Sequence, residues 1–146
     1  MRDEAGFTIV ETLVALVLVA VLATLAAGYL RAPPAGAMID AETARMAALL
    51  QRARAEAFAS QRESRVVVDG RSRTYGIAGA TARQLPADMS LSAELAATGV
   101  QQAGIIRFFP VGTASGGVIR LSLRGAEGTV RVNWATGAIS IERPDR

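Results

Sequence analysis

The stretch that most constrains this chain is Gly6-Phe7-Thr8-Ile9-Val10-Glu11, continued by an apolar run to Leu30. From Phe7 to Leu30 the one charged residue is Glu11. As a helix the run would be about 36 Å long, against a hydrocarbon core of about 30 Å. A carboxylate inside such a span costs roughly 2.5–3.5 kcal/mol on insertion, so it needs a partner. A cut between Gly6 and Phe7 would create an α-amino cation within helical reach of Glu11. The helix dipole also favours a Glu in the first turn, but by less than about 1 kcal/mol at exposed sites, which does not account for a carboxylate at this depth.

Composition narrows the remaining options. The chain has 146 residues, room for one ordinary domain. Without Cys it has no disulfide, thiolate metal site or cysteine nucleophile, and without His it lacks the commonest general base and metal ligand. Every basic residue is Arg, and the net charge is +3. So small an excess describes a solvated surface more simply than a nucleic-acid binder.

The leader Met1-Arg2-Asp3-Glu4-Ala5-Gly6 is short and polar, and Asp3 and Glu4 offset Arg2 and the amino terminus. Charge therefore gives no orientation across a membrane. A secretory signal cleaved after Ala23 or Ala27 is one alternative, and a plain uncleaved anchor is another. The early Glu11 and the length of the run argue against the signal peptide, whose apolar region usually spans about 7–15 residues.

The leader and run together resemble the maturation site of type IV prepilins and type II secretion pseudopilins. The resemblance implies cleavage after Gly6 and methylation of the new amine of Phe7 by the prepilin peptidase and methyltransferase. It implies that Glu11 serves filament assembly by pairing with a neighbour's terminal amine. It also implies a single-pass inner-membrane protein, leader cytoplasmic and C-terminal domain periplasmic, that enters a periplasmic filament. Many pilin-like proteins carry a helix-breaking Pro near the place of Gly28, which makes Gly28 a candidate for the same loosening.

Pro33, Pro34 and Gly36 interrupt the helical pattern, and a kink or break is expected there. Periodicity resumes near Asp40, a possible cap. Ile39, Met46, Leu49, Leu50, Ala53, Ala57 and Phe58 form an apolar stripe on which a sheet would pack. Glu42, Arg45, Arg52, Arg54, Glu56, Arg62 and Glu63 lie mostly elsewhere, with Arg52 and Glu56 spaced as an i,i+4 pair.

From Arg65 the period becomes two. Residues 65–69 predict a strand closed by Asp69-Gly70, and 71–77 its hairpin partner, with Tyr75 and Ile77 on one face. Met89-Ser90-Leu91-Ser92 is another short strand, and Glu94 to Gly104 is expected as a loop with a helical turn. Residues 105–109 form a strand ended by Pro110. Val118–Leu123 and Thr129–Trp134 alternate, with 124–128 turning between them, and Ile139 and Ile141 close a last strand. Trp134 is in phase with Val130 and Val132 and is expected in the core. These elements predict an α+β, pilin-like fold: a long N-terminal helix packed on an antiparallel sheet or small sandwich. The expected divisions are leader 1–6, transmembrane and filament-core helix 7–30, kinked periplasmic continuation 31–64 and β domain 65–146.

Phe108-Phe109-Pro110-Val111-Gly112-Thr113-Ala114-Ser115-Gly116-Gly117, Thr136-Gly137 and Arg54-Ala55-Glu56-Ala57 resemble the H-type pseudopilin (GspH) and FimT group. That implies a minor pseudopilin near the tip of a pseudopilus that drives exoprotein export. Its partners would be major and minor pseudopilins and inner-membrane lipid, with no cofactor, metal or small-molecule substrate. No catalytic residues are expected: residues 112–117 lack the phosphate-loop Lys, Ser115 has no His to activate it, and Asp69, Asp88 and Asp145 lack a calcium-loop spacing. The alternative is a FimT-like minor pilin for pilus assembly or DNA uptake. Arg120, Arg124 and Arg131, on the outward face of the last sheet, are its candidate phosphate contacts. The Thr136-Gly137 hairpin has no Arg until Arg143, which weakens that alternative.

Overall fold

The computed structural model describes residues 8–29, 33–95, 99–101 and 103–142, without the side chains of 26–29 and 99–101. The chain divides into two compact units, Met1–Pro33 and Pro34–Arg146.

The first unit is helix α1, Ile9–Tyr29. Thr8 caps it: its Oγ1 accepts the Glu11 N–H at 3.2 Å, and its carbonyl accepts the Thr12 N–H at 3.1 Å. Thr8 and Glu11 thus have the spacing of a capping box. The Thr12 and Thr24 hydroxyls donate to the carbonyls of Ile9 and Val21, so neither leaves a free donor on the helix surface. Every described side chain of α1 is exposed, Ile9 at 80% and Leu25 at 60% among them. A helix apolar on all faces is suited to an apolar surround and not to water. Counting only described side chains, which end at Leu25, no helix is long and apolar enough to cross a membrane. The α1 backbone has 21 residues, about 32 Å.

The second unit starts with α2, Ala35–Ser60. Pro34 precedes it in an extended conformation, φ −60° and ψ 146°. The helix therefore begins directly after the prolines and not near Asp40, and Gly36 lies inside its first turn. Ile39, Thr43, Met46, Ala47, Leu50, Ala53 and Ala57 are buried, at three- and four-residue spacings. Phe58 departs from the expected stripe: Ala57 takes the inward position and Phe58 is 67% exposed. Arg52 and Glu56 form no ion pair among the described residues.

Two antiparallel sheets follow. One has the order β3-β2-β1-β6, built from β1 Ser64–Asp69, β2 Thr74–Ile77, β3 Arg83–Gln84 and β6 Ala103–Phe108. The other has the order β5-β4-β7-β8-β9, from β4 Ser90–Leu95, β5 Gly99–Gln101, β7 Gly117–Leu123, β8 Ala126–Val132 and β9 Ile139–Glu142. Both pack on α2, and Val66, Val68, Tyr75, Ile106, Phe108, Ile119, Leu121 and Val130 complete one core with its buried face.

Two expected loops are shorter than their composition suggests. β4 runs to Leu95 and pairs with β5 (Ala93 opposite Gln101), so strands occupy much of 94–104; residues 96–98 and 102 lie outside the described residues. The turn expected over 124–128 is Arg124-Gly125 alone. Both have positive φ, 49° and 82°, the conformation of a two-residue hairpin, and Leu123 pairs with Ala126. Trp134 is not in the core: β8 ends at Val132, the chain turns at Asn133, and Trp134 is 70% exposed.

Gly128 sets how closely α2 approaches β8. A Cβ there would stand 2.8 Å from Ile39 Cγ2 and collide with the Thr43 hydroxyl. Gly36 has nothing within 4 Å of that position. Urea unfolding of Pro34–Arg146 should show Gly128→Ala losing about 1–3 kcal/mol. Gly36→Ala should gain a few tenths to about 1 kcal/mol.

Candidate functional site

Glu11 occupies the first turn of α1, at the third helical position and exposed. Gly6 and Phe7 lie outside the described residues. Gly28 lies within the helical backbone of α1, and Pro33 and Pro34 lie between the two helices. These are the residues the sequence nominates for processing, assembly and loosening, and the structure adds the Thr8 cap to them.

The stretches that resemble the H-type group meet at a seam near the C-terminal end of α2. Arg54 Nη2 donates to the Thr136 carbonyl at 2.9 Å. Gly137 has φ 62°, and a Cβ on it would lie 2.5 Å from the Gly112 carbonyl oxygen and 3.1 Å from Arg54 Nε. Only glycine suits both that backbone and that space. Asn133 Oδ1 accepts the N–H groups of Ala135 and Thr136, and the Gly137 N–H returns to the Asn133 carbonyl. The 109–116 loop joins through Ala114 N–H to the Trp134 carbonyl, 2.9 Å, and Ser115 N–H to the Arg107 carbonyl, 2.9 Å. The helix, the loop and the last hairpin turn are therefore one hydrogen-bonded assembly.

The three arginines proposed as phosphate contacts are each occupied. Arg120 pairs with Glu94 at 2.8 Å and Arg124 with Asp88 at 2.6 Å. Arg131 bonds both oxygens of Glu142, which raises its pKa and lowers that of Glu142. A phosphate would have to displace a carboxylate at each position. Arg120 and Arg131 face outward from adjacent strands, whereas Arg124 stands in the hairpin turn.

Sequence reasoning missed the most perturbed carboxylate. Glu42 was expected with the exposed charges of α2, yet it is 3% exposed. Its Oε1 accepts from Tyr75 Oη at 2.7 Å and Arg83 Nε at 2.6 Å; its Oε2 accepts from Arg83 Nη2 at 3.1 Å and Arg45 Nη1 at 3.0 Å. Burial alone would raise its pKa, but the bonds from Arg83, Tyr75 and Arg45 together outweigh burial and lower it from 4.5 to about 2. Burial and the bond to Glu42 raise the Tyr75 hydroxyl well above its ordinary value. One signal was available: Glu42 is three residues after Ile39 and four before Met46, on the stripe itself. The group ties α2 to β2 and β3. It contains no nucleophile, and no cluster of three or more His, Cys, Asp or Glu suited to a metal occurs among the described residues.

Comparison with known proteins places these features. A model of the prokaryotic N-terminal methylation motif matches residues 1–27. A model of the type II transport protein GspH matches residues 42–136, from Glu42 through the sheets to Thr136 at the seam. The chain belongs to the GspH family of pseudopilins. Type II secretion system protein H of Xanthomonas campestris pv. campestris is 30% identical over 144 residues, covering 94% of this chain and 83% of that protein. A crystal structure of the minor pseudopilin EpsH of Vibrio cholerae has a TM-score of 0.65 at 13% identity, over 77% of this chain and 99% of that one. The type IV minor pilin FimU of Pseudomonas aeruginosa has a TM-score of 0.53 at 18% identity, over 72% and 88%. At those identities the two structures show a shared fold.

For this GspH-type pseudopilin the Glu42 pKa gives a pH dependence of definite sign. The folded pKa is depressed, so the stabilisation is complete above about 4.5 and is lost as pH falls toward 2. At neutral pH it amounts to roughly 3 kcal/mol. Urea unfolding of Pro34–Arg146 should show stability dropping across that window. Glu42→Gln should flatten the drop, and Glu42→Ala should cost about 2–4 kcal/mol at pH 7 by leaving Tyr75 and Arg83 without their acceptor.

Proposed function

We propose that the chain is a non-enzymatic minor subunit of a type II secretion pseudopilus, placed near its tip and needed for exoprotein export. The observation that carries this reading is α1: a helix exposed and apolar on every face, whose sequence has one charge, Glu11, three residues after the Thr8 cap. The prepilin peptidase cuts between Gly6 and Phe7 and methylates the Phe7 amine. Until assembly, α1 holds the protein in the inner membrane, with residues 1–6 cytoplasmic and the β domain periplasmic. The match of residues 1–27 to the methylation motif supports this sequence of events.

In the filament, α1 packs among the apolar helices of other pseudopilins. Glu11 then meets a neighbour's terminal amine, the partner that a carboxylate in an apolar surround requires. Gly28 and the Pro33-Pro34 break let the helical segment adjust between bilayer and filament. The DNA-uptake reading finds no support in Arg120, Arg124 and Arg131, since each already holds a carboxylate.

Deletion of the gene should stop exoprotein secretion and leave transformation intact; normal secretion with lost transformation would sink this reading. Mass spectrometry of the membrane-extracted protein should find an N-methylated Phe7 terminus, and an intact Met1 in peptidase-competent cells counts against it. Glu11→Ala should be processed normally yet enter filaments poorly.

A further inference from the structure

The unit Pro34–Arg146 buries most of its large apolar side chains but leaves three well outside. Phe58, Val111 and Trp134 are 67%, 83% and 70% exposed, more than any other large apolar residue among those described in this unit. They belong to three elements and converge on the seam. Phe58 is one turn beyond Arg54, Val111 adjoins Gly112, and Trp134 is two residues before Thr136. Phe58 and Gly112 line one groove of about 340 Å³. Trp134 lines a second, of about 530 Å³, with Arg120 and Arg131.

The fold does not ask for these side chains. Asn133 and Gly137 supply the geometry of the 133–137 turn, while Trp134 contributes its backbone carbonyl. Aromatic side chains beside arginine, held on a rigid backbone, are the usual anchors of protein interfaces. The local charge indicates what they would meet. Beside Trp134 the charges cancel in pairs, Arg120 with Glu94 and Arg131 with Glu142. On the Phe58 side, residues 52–65 together with Arg107 hold five arginines and two glutamates, an excess of +3. Arg54 spends its bond on a carbonyl, and Glu63 is shared between Arg65 at 3.5 Å and Arg107 at 3.9 Å. A second copy of this chain would set the same excess against itself.

We propose that this end of the unit is a docking surface for the β domain of a different pseudopilin, one presenting an apolar centre rimmed by carboxylates. The inference rests on the filament-subunit reading above. The test places a photo-crosslinking amino acid at Phe58, Val111 or Trp134 of the full chain, in cells secreting through the system. Val67, exposed on β1, is the control position, and adducts are identified by mass spectrometry. The expected result is an adduct with another pseudopilin at the three seam positions and not at Val67. Arg62→Glu should lower its yield by about tenfold through like-charge contact. Adducts with a second copy, lipid or nucleic acid, equal labelling at Val67, or no adduct would overturn the proposal. Secretion measured in parallel separates the two readings. Normal secretion without a seam adduct overturns this surface alone, whereas normal secretion after deletion of the gene overturns the function it rests on.

Discussion

The second unit depends on the burial of one face of α2. Each sheet is apolar on one side, and neither could hide that side alone. α2 lies against β1, β2 and β6 of one sheet and β7, β8 and β9 of the other, so a single helix closes both. Its buried positions mix large and small residues. Met46 and Leu50 are fully buried, and full burial of such side chains stabilises by about 1.5–3 kcal/mol each. Ala47, Ala53 and Ala57 let the backbone approach, and Gly128 leaves room on β8 for Ile39 and Thr43 of α2.

Apolar contact is non-directional, so it does not by itself stop a helix sliding along a sheet. The Glu42 group does. A buried carboxylate that needs Arg83 Nε at 2.6 Å and Tyr75 Oη at 2.7 Å is satisfied in one register and costly in others. The Arg54 bond to Thr136 fixes the other end of the helix. Between these two polar points α2 is held in both position and rotation. Among its described residues, α1 carries no comparable buried polar group.

Much of this was legible because alternation and helical spacing follow directly from backbone geometry. Ile119, Leu121 and Leu123 face inward and Arg120 outward, as their alternation predicts, and the β7-β8-β9 meander has the expected order. The misreadings occur where a local pattern meets a decision made elsewhere. Trp134 keeps phase with Val130 and Val132, but the strand ends before it because Asn133 Oδ1 accepts the N–H groups of Ala135 and Thr136 and turns the chain. Phe58 is more apolar than Ala57, yet the approach of helix to sheet has room for alanine. Residues 94–104 look like a loop because their strands are short and polar, and pairing with β4 is what makes β5 a strand.

The sequence by itself determined the apolar helix with its single carboxylate, the break at Pro33-Pro34, the change of period at β1 and the alternation of the last three strands. These are local, because each depends on neighbours within one turn or one strand. The tertiary structure alone decided that Glu42 is buried, that Arg54 joins the Thr136-Gly137 turn, that the outward arginines are already paired, and that Phe58, Val111 and Trp134 stay exposed on the elements that meet at the seam. Each of these joins residues far apart in the chain, as Arg54 and Thr136 are, 82 positions apart. Such contacts exist only once two sheets have closed on one helix.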